Sequence, residues 1–369
     1  MRIRRFVNQD QVEQHNSLKQ FKRWRKERVR KLRQKDYSYI IPSVEPELPF
    51  LLENKTLPTI TWIGHSTFFM QIGGLNIVTD PVWSGQMAFQ KRLSAPGIPI
   101  DRMPPVDVVL VSHSHYDHLS ISSLRRLTGT RRLLVPAGLS GKLRLKGFSN
   151  VTEFNWWEST VIQGVTFTFV PSQHWTRRNP WDTNSSHWGG WVIESAGAAG
   201  GRAISVTGDE TRDARKETLS ASMREAAASA DADGRDSRRA GAEGRPLVSA
   251  APTVYFAGDS GYFRGFREIG SRFRIDVALM PIGAYEPEWF MGPQHVTPEE
   301  ALQAFEDIRA GWFVPMHYGA FKLADDTPRE ALDRLEAGRM NKGIGEDRVI
   351  VLPLGETWRL ANSSPIEPT

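Results

Sequence analysis

The 369-residue chain contains no cysteine. That excludes a disulfide framework, a thiolate zinc finger and a thiol nucleophile, and it leaves histidine and carboxylate to build any metal centre. No stretch approaches the ~18 consecutive apolar residues of a membrane-spanning helix. The Met-Arg-Ile-Arg-Arg start is not followed by the apolar core of a signal peptide, so a cytoplasmic location is expected. Aromatic residues are missing from 195–252, a segment rich in Ala, Gly, Arg, Asp and Ser. Such a segment buries too little surface to offset the entropy of ordering it. It is expected to be a largely disordered insertion in a hairpin loop, with 202–207 available to extend a strand.

What is present is enough for a globular body: 40% of the residues are hydrophobic and twelve are Trp. The formal charge of +5 is not spread evenly, because residues 1–35 hold thirteen Lys or Arg against Asp10, Glu13 and Glu27. The rest of the chain is slightly acidic, so no nucleic-acid partner is expected. Within the basic region, Leu18, Phe21, Trp24, Val29 and Leu32 share one face of a helix. That face suits either an anchor on an anionic membrane surface or a helix packed on the domain with its basic side in water. Pro42, Pro46 and Pro49 mark an extended linker, making 1–50 a basic helix with linker and 51–369 the main domain.

From Thr59 the pattern changes to short β-rich runs, at 59–63, 67–72, 76–79, 106–111, 132–135, 165–170, 188–193, 253–257, 277–280, 312–315 and 349–352. Helical patterns such as 120–127 and 298–308 lie between some of them. Early hairpins followed by strand–helix alternation give a mixed α/β fold, not a (β/α)8 barrel.

The strongest chemical signal follows the apolar run 106–111. Ser112-His113-Ser114-His115-Tyr116-Asp117-His118 reads His-x-His-x-Asp-His, and its i, i+2 spacing suits a turn after a strand. Burying four such groups within six residues would be costly without a metal. Three further candidates follow later runs: His174 after 165–170, Asp259 after 253–257 and His317 after 312–315. Singly, His174 or His317 reads as a structural histidine; in order at matching strand ends they read as ligands. Asp209, in Thr207-Gly208-Asp209-Glu210, competes with Asp259, which is preferred for its more apolar strand and its Ser260-Gly261-Tyr262 continuation.

The motif and the order of these groups resemble the metallo-β-lactamase superfamily. The flanks narrow the resemblance to its N-acylphosphatidylethanolamine-hydrolysing phospholipase D branch. They include Trp62-Ile63-Gly64-His65-Ser66-Thr67, Thr79-Asp80-Pro81, Gln173-His174-Trp175 with Arg177-Arg178, Trp188-Gly189-Gly190-Trp191 and the run from Gly283 to His295. The resemblance implies an αββα sandwich of two packed mixed β-sheets flanked by helices. It further implies that His113, His115 and His174 bind one zinc ion, that Asp117, His118 and His317 bind a second, and that Asp259 bridges them. Iron or manganese would suit the same ligands. Asp117 and His295 are the implied catalytic residues, His295 contacting phosphate or protonating the leaving alkoxide, or else shaping the pocket; His65 is expected to hydrogen-bond from behind.

The activity implied is metal-dependent hydrolysis of an N-acylated phosphatidylethanolamine to N-acylethanolamine and phosphatidic acid, by attack of a metal-bridging hydroxide. A lactonase or a hydrolase of cyclic nucleotides or other small phosphodiesters is the alternative on the same fold; a metal-free membrane-binding module would leave the ligand set unused. The partners expected are the phospholipid and an anionic membrane surface. A homo-oligomer is compatible with the sequence.

Overall fold

A computed structural model describes residues 5–10, 12, 18–31, 35–87, 90–195 and 252–360. The body of the segment expected to be disordered, its proposed strand extension at 202–207, Asp209 and His15 lie outside the described residues. The basic amphipathic pattern forms helix α1 (Leu18–Lys31), and a proline-led turn of helix, α2 (Leu48–Glu53), follows it.

The first sheet takes β1 (Thr59–Gly64), β2 (Thr67–Ile72) and β3 (Leu75–Thr79) as an antiparallel meander. After a small hairpin of β4 (Gln86–Met87) and β5 (Gln90–Lys91), it continues in parallel with β6 (Val108–Leu110), β7 (Arg132–Pro136) and β8 (Val151–Phe154). The short helices α3 (Ile121–Arg126) and α4 (Ser140–Arg144) cross between these strands.

The second sheet begins with antiparallel β9 (Ser159–Ile162), β10 (Val165–Val170), β11 (Gly190–Ser195) and β12 (Thr253–Phe256). Helix α5 (Gly265–Arg272) leads to β13 (Val277–Pro281), while α6 (Glu288–Met291) and α7 (Pro298–Asp307) lead to β14 (Trp312–Met316), both strands parallel to β12. The chain then forms α8 (Pro328–Asn341) and returns to the first sheet as β15 (Thr357–Arg359), paired with β1.

Burial explains the layering. Along β2, β3 and β6, residues Phe68, Met70, Ile77, Val108 and Leu110 join one core cluster with Phe167, Phe169, Trp191 and Ile193 of the second sheet. Their neighbours Phe69, Val78 and Val109 join Leu124 of α3 and Leu143 of α4 in another. The alternation is the period of a strand buried on both faces. Phe266 of α5 and Leu302 and Phe305 of α7 cover the outer face of the second sheet. The result is the expected αββα sandwich.

The run expected at 349–352 is not a strand. Only Val349 bridges to Phe313, and Pro353, which has no N–H to give, closes the segment before β15. Among the described residues, no helix is long and apolar enough to cross a membrane.

Candidate metal centre

Parallel pairing brings the C-terminal ends of β3 and β6 together in one sheet, and those of β12, β13 and β14 together in the other. Antiparallel pairing through β11 gives β10 the same direction as β12. Loops leaving such ends are where open α/β sheets place their chemistry. Here they carry His113 to His118 after β6, His174 after β10, Asp259 after β12, His295 between α6 and α7, and His317 after β14.

The structure brings all of these side chains together. His113 Nε2 stands 2.9 Å from His115 Nδ1, which stands 3.2 Å from His174 Nε2. Three nitrogens around one tetrahedral zinc would be about 3.3 Å apart, given bonds of ~2.0–2.1 Å. A second group gathers around Asp117 Oδ2, at 3.3 Å from His118 Nε2 and 3.5 Å from His317 Nε2. Asp259 lies between the groups, its Oδ2 at 3.1 Å from His317 Nε2, 3.2 Å from His118 Nε2, 3.8 Å from His174 Nε2 and 3.9 Å from His113 Nε2. His295 Nδ1 is 3.8 Å from the same oxygen.

The donor atoms fit a metal. His118 Nε2, His317 Nε2 and Asp259 Oδ1 are buried without a hydrogen bond of acceptable geometry, a costly state for an apolar interior unless a cation takes up their lone pairs. Burial, reinforced by neighbouring imidazoles, holds His113 and His174 well below the ordinary histidine value. Burial lowers His115 to about 4, although Asp117 and Asp259 pull it upward. These rings are therefore neutral, the form that ligates. Burial alone would raise Asp117 and Asp259, but pairing with His118 and His317 outweighs it and keeps both carboxylates ionised. The same pairing overcomes burial at the two histidines, lifting His317 to about 9 and His118 well above its usual value.

Partners behind the ligands orient them. His65 Nε2 lies 3.1 Å from Asp117 Oδ2, the supporting bond expected of it. His174 Nδ1 donates to the Gln294 carbonyl at 3.0 Å, which leaves Nε2 as its lone-pair nitrogen facing the centre.

Asp80 was not singled out as a site residue from the sequence. It is fully buried, accepts from the Ser112 backbone N–H at 2.7 Å and the Ser112 hydroxyl at 2.6 Å, and holds His118 Nδ1 at 2.6 Å. Its φ of 31° is left-handed, and these contacts maintain it. The available signal was an aspartate directly after an apolar strand, in Thr79-Asp80-Pro81. Arg178 was also missed; it donates to the carbonyls of Ser114 at 2.7 Å and Leu119 at 2.8 Å and so braces the ligand turn. Gly258 has φ +63°, and a Cβ there would stand 2.6 Å from Ser112 Cβ, so glycine lets the Asp259 loop approach the His113 loop.

Tyr285 is fully buried beneath Arg334 and is structural. Trp175 stands edge-on to His115 at 4.9 Å. Tyr116, in the ligand turn, is 54% exposed, and Trp181 is 78% exposed. His187 is a packing residue, stacked on Phe6 and against Trp156.

The chain matches the family model described as a beta-lactamase superfamily domain over residues 75–227 and 226–318. It is 28% identical over 325 residues to a Caenorhabditis elegans protein described as N-acyl-phosphatidylethanolamine-hydrolyzing phospholipase D 1, covering 82% of this chain and 76% of that one. It is also 28% identical to a UPF0173 metal-dependent hydrolase of Methanopyrus kandleri, covering 81% of this chain and 98% of the relative. Other curated relatives are longer, and the chain spans 55% to 63% of their length. Among solved structures it resembles Igni18, a metallo hydrolase of Ignicoccus hospitalis, with TM-score 0.53 and 22% identity over 82% of this chain and 98% of that one.

Proposed function

Because this chain belongs to the metallo-β-lactamase superfamily and is a metal-dependent hydrolase, we propose that its centre holds two divalent ions and cleaves the phosphodiester of an N-acylphosphatidylethanolamine-like phospholipid in the manner of a phospholipase D. One observation carries the reading: two groups of buried ligand atoms share a single carboxylate, Asp259. His113, His115 and His174 would hold one ion, and Asp117, His118 and His317 the other. Ions bound there supply Lewis acidity toward phosphate oxygens and a water nucleophile active near neutral pH.

The chain's own residues do the rest. Asp80, through His118, and His65, through Asp117, fix the directions of two ligands. His295 is held neutral by burial, at about 4, so at neutral pH one ring N–H can donate a hydrogen bond to a phosphate oxygen.

The choice of a phospholipid over a small diester is supported by two features, besides the activity named for the nematode relative. Lys19, Lys22, Arg25 and Lys26 are exposed on α1 together with the half-exposed Phe21, a composition suited to an anionic lipid surface. Tyr116, exposed within the 113–118 turn, adds an amphipathic ring beside the centre. A total lipid extract incubated with the protein, with and without chelator, tests the reading. Chelator-sensitive release of N-acylethanolamine and phosphatidic acid is expected, and a lipid profile unchanged in both arms refutes it.

A further inference from the structure

Helix α1 lies outside the residues that match the family model, yet its inward face is committed to the loop that carries His295. The Trp24 ring stacks on Phe290 of α6, with centroids 5.5 Å apart and planes 13° from parallel. On the next ring along, the Arg23 guanidinium sits 4.2 Å above Trp289, whose Nε1–H donates to Glu27 Oε2 at 3.1 Å. From there the connection to the centre is short. The Met291 carbonyl accepts the N–H groups of Gln294 at 2.9 Å and His295 at 3.0 Å, and the Gln294 carbonyl accepts from His174 Nδ1.

Arg28 near the end of α1 and the residues that follow the helix extend the same grip to the loop after His317. Arg28 Nε pairs with the fully buried Asp325 at 3.4 Å, the Tyr37 hydroxyl donates to the Asp325 carbonyl at 3.1 Å, and Lys35 Nζ bridges Glu286 at 2.6 Å and Glu330 at 2.7 Å. The two gripped loops are tied to each other, since Asp326 accepts from the backbone N–H groups of Ala284 at 3.0 Å and Glu286 at 3.3 Å.

We infer that the N-terminal segment is a clamp on the active site, in which Trp24 and Glu27 are positioning residues that set His295 through Trp289, Phe290 and Met291. This deepens the phosphodiesterase reading and rests on it for the role of His295. Glu27 turns a helix otherwise dominated by cations toward the domain at one point, and Trp24 is the aromatic of α1 that meets α6. The apolar face of α1 is therefore partly spent on the protein itself, and its exposed cations, with Phe21, are what is left for a surface.

The test uses the metal-loaded, full-length protein and two readouts. Hydrogen exchange of the amides of 291–296 should quicken about fivefold in Trp24→Ala, the scale of one lost aromatic pair, while the β-sheet amides stay unchanged. Trp24→Phe should restore slow exchange, and Lys22→Ala, on the exposed face of the same helix, should not alter it. Turnover of the soluble diester bis(4-nitrophenyl) phosphate should show kcat lowered about fivefold with KM and metal content preserved, and no further loss when Trp24→Ala is placed on His295→Ala. Glu27→Ala supplies the same comparison if Trp24→Ala does not fold. Unchanged exchange at 291–296, or an equal loss of kcat with and without His295, overturns the clamp. A wild-type protein without diester turnover refutes the phosphodiesterase reading instead, and the exchange data still decide the clamp.

Discussion

Without metal, the centre holds an electrostatic arrangement whose pH signature follows from its geometry. In the metal-free fold His317 is protonated up to about 9, against an ordinary value of 6.5, because Asp259 and Asp117 outweigh its burial. A group whose folded value is raised contributes stability that is fully present below 6.5 and is lost as pH climbs toward 9. At 1.36 kcal/mol per unit the loss from His317 alone is roughly 3 kcal/mol, and His118, shifted in the same direction, adds to it.

On the acid side the sign reverses. Burial lowers His115 and His295 to about 4, so as pH falls from 6.5 toward 4 the unfolded chain takes up protons that the fold refuses, and stability drops. Asp326, raised to about 6 by desolvation, partly offsets that drop. Chelated protein should thus be most stable near pH 6.5 and weaken on both sides. A loss of roughly 3 kcal/mol moves a urea midpoint by about 1 M if m is near 3 kcal/mol/M. Urea titrations of chelated protein at several pH values between 6 and 9 measure the alkaline limb. His317→Gln should flatten it, and metal-loaded protein should lack it, since the ion replaces the proton. A metal-free stability that is level or rising from pH 7 to 9 refutes the assignment of charge to this pair.

Asp80→Asn should weaken metal binding by ~10–100-fold, read by competition with a chromogenic chelator, because His118 loses the carboxylate that orients it. Gly258→Ala should cost about 1–3 kcal/mol and reduce metal content, since its Cβ meets Ser112 at 2.6 Å from a left-handed backbone; melting curves and elemental analysis check both. The combined change Lys19→Ala, Lys22→Ala, Arg25→Ala and Lys26→Ala should weaken co-sedimentation with anionic vesicles most at low salt, each cation contributing ~1 kcal/mol at best, while sparing turnover of the soluble diester.

Much of the centre was legible because its ligands follow strands that announce themselves. Val108–Leu110, Val165–Val170, Thr253–Phe256 and Trp312–Met316 are apolar or aromatic runs, and a histidine or aspartate at the end of such a run has few structural uses. Val151–Phe154 and Ser159–Ile162 were not legible, being short edge strands with a polar exposed face and little periodic signal. Thr357–Arg359 is a three-residue strand that exists only because β1 offers it an edge. Asp80 escaped for another reason: its partners Ser112 and His118 lie more than thirty residues away and meet it only through parallel pairing of β3 with β6. The helical face of α1 was plain, but no local pattern could say that Trp24 would find Phe290.

The candidate ligands are drawn from both layers of the sandwich: His113, His115, Asp117 and His118 leave the first sheet, whereas His174, Asp259 and His317 leave the second. An ion held among them would be a rivet through the seam, and its removal would loosen the two layers at that edge while their interior packing of Phe68, Met70, Phe167 and Trp191 still holds. Loading with metal would therefore do mechanical as well as chemical service, joining His174, before the long 196–251 stretch of the sequence, to Asp259 and His317 after it.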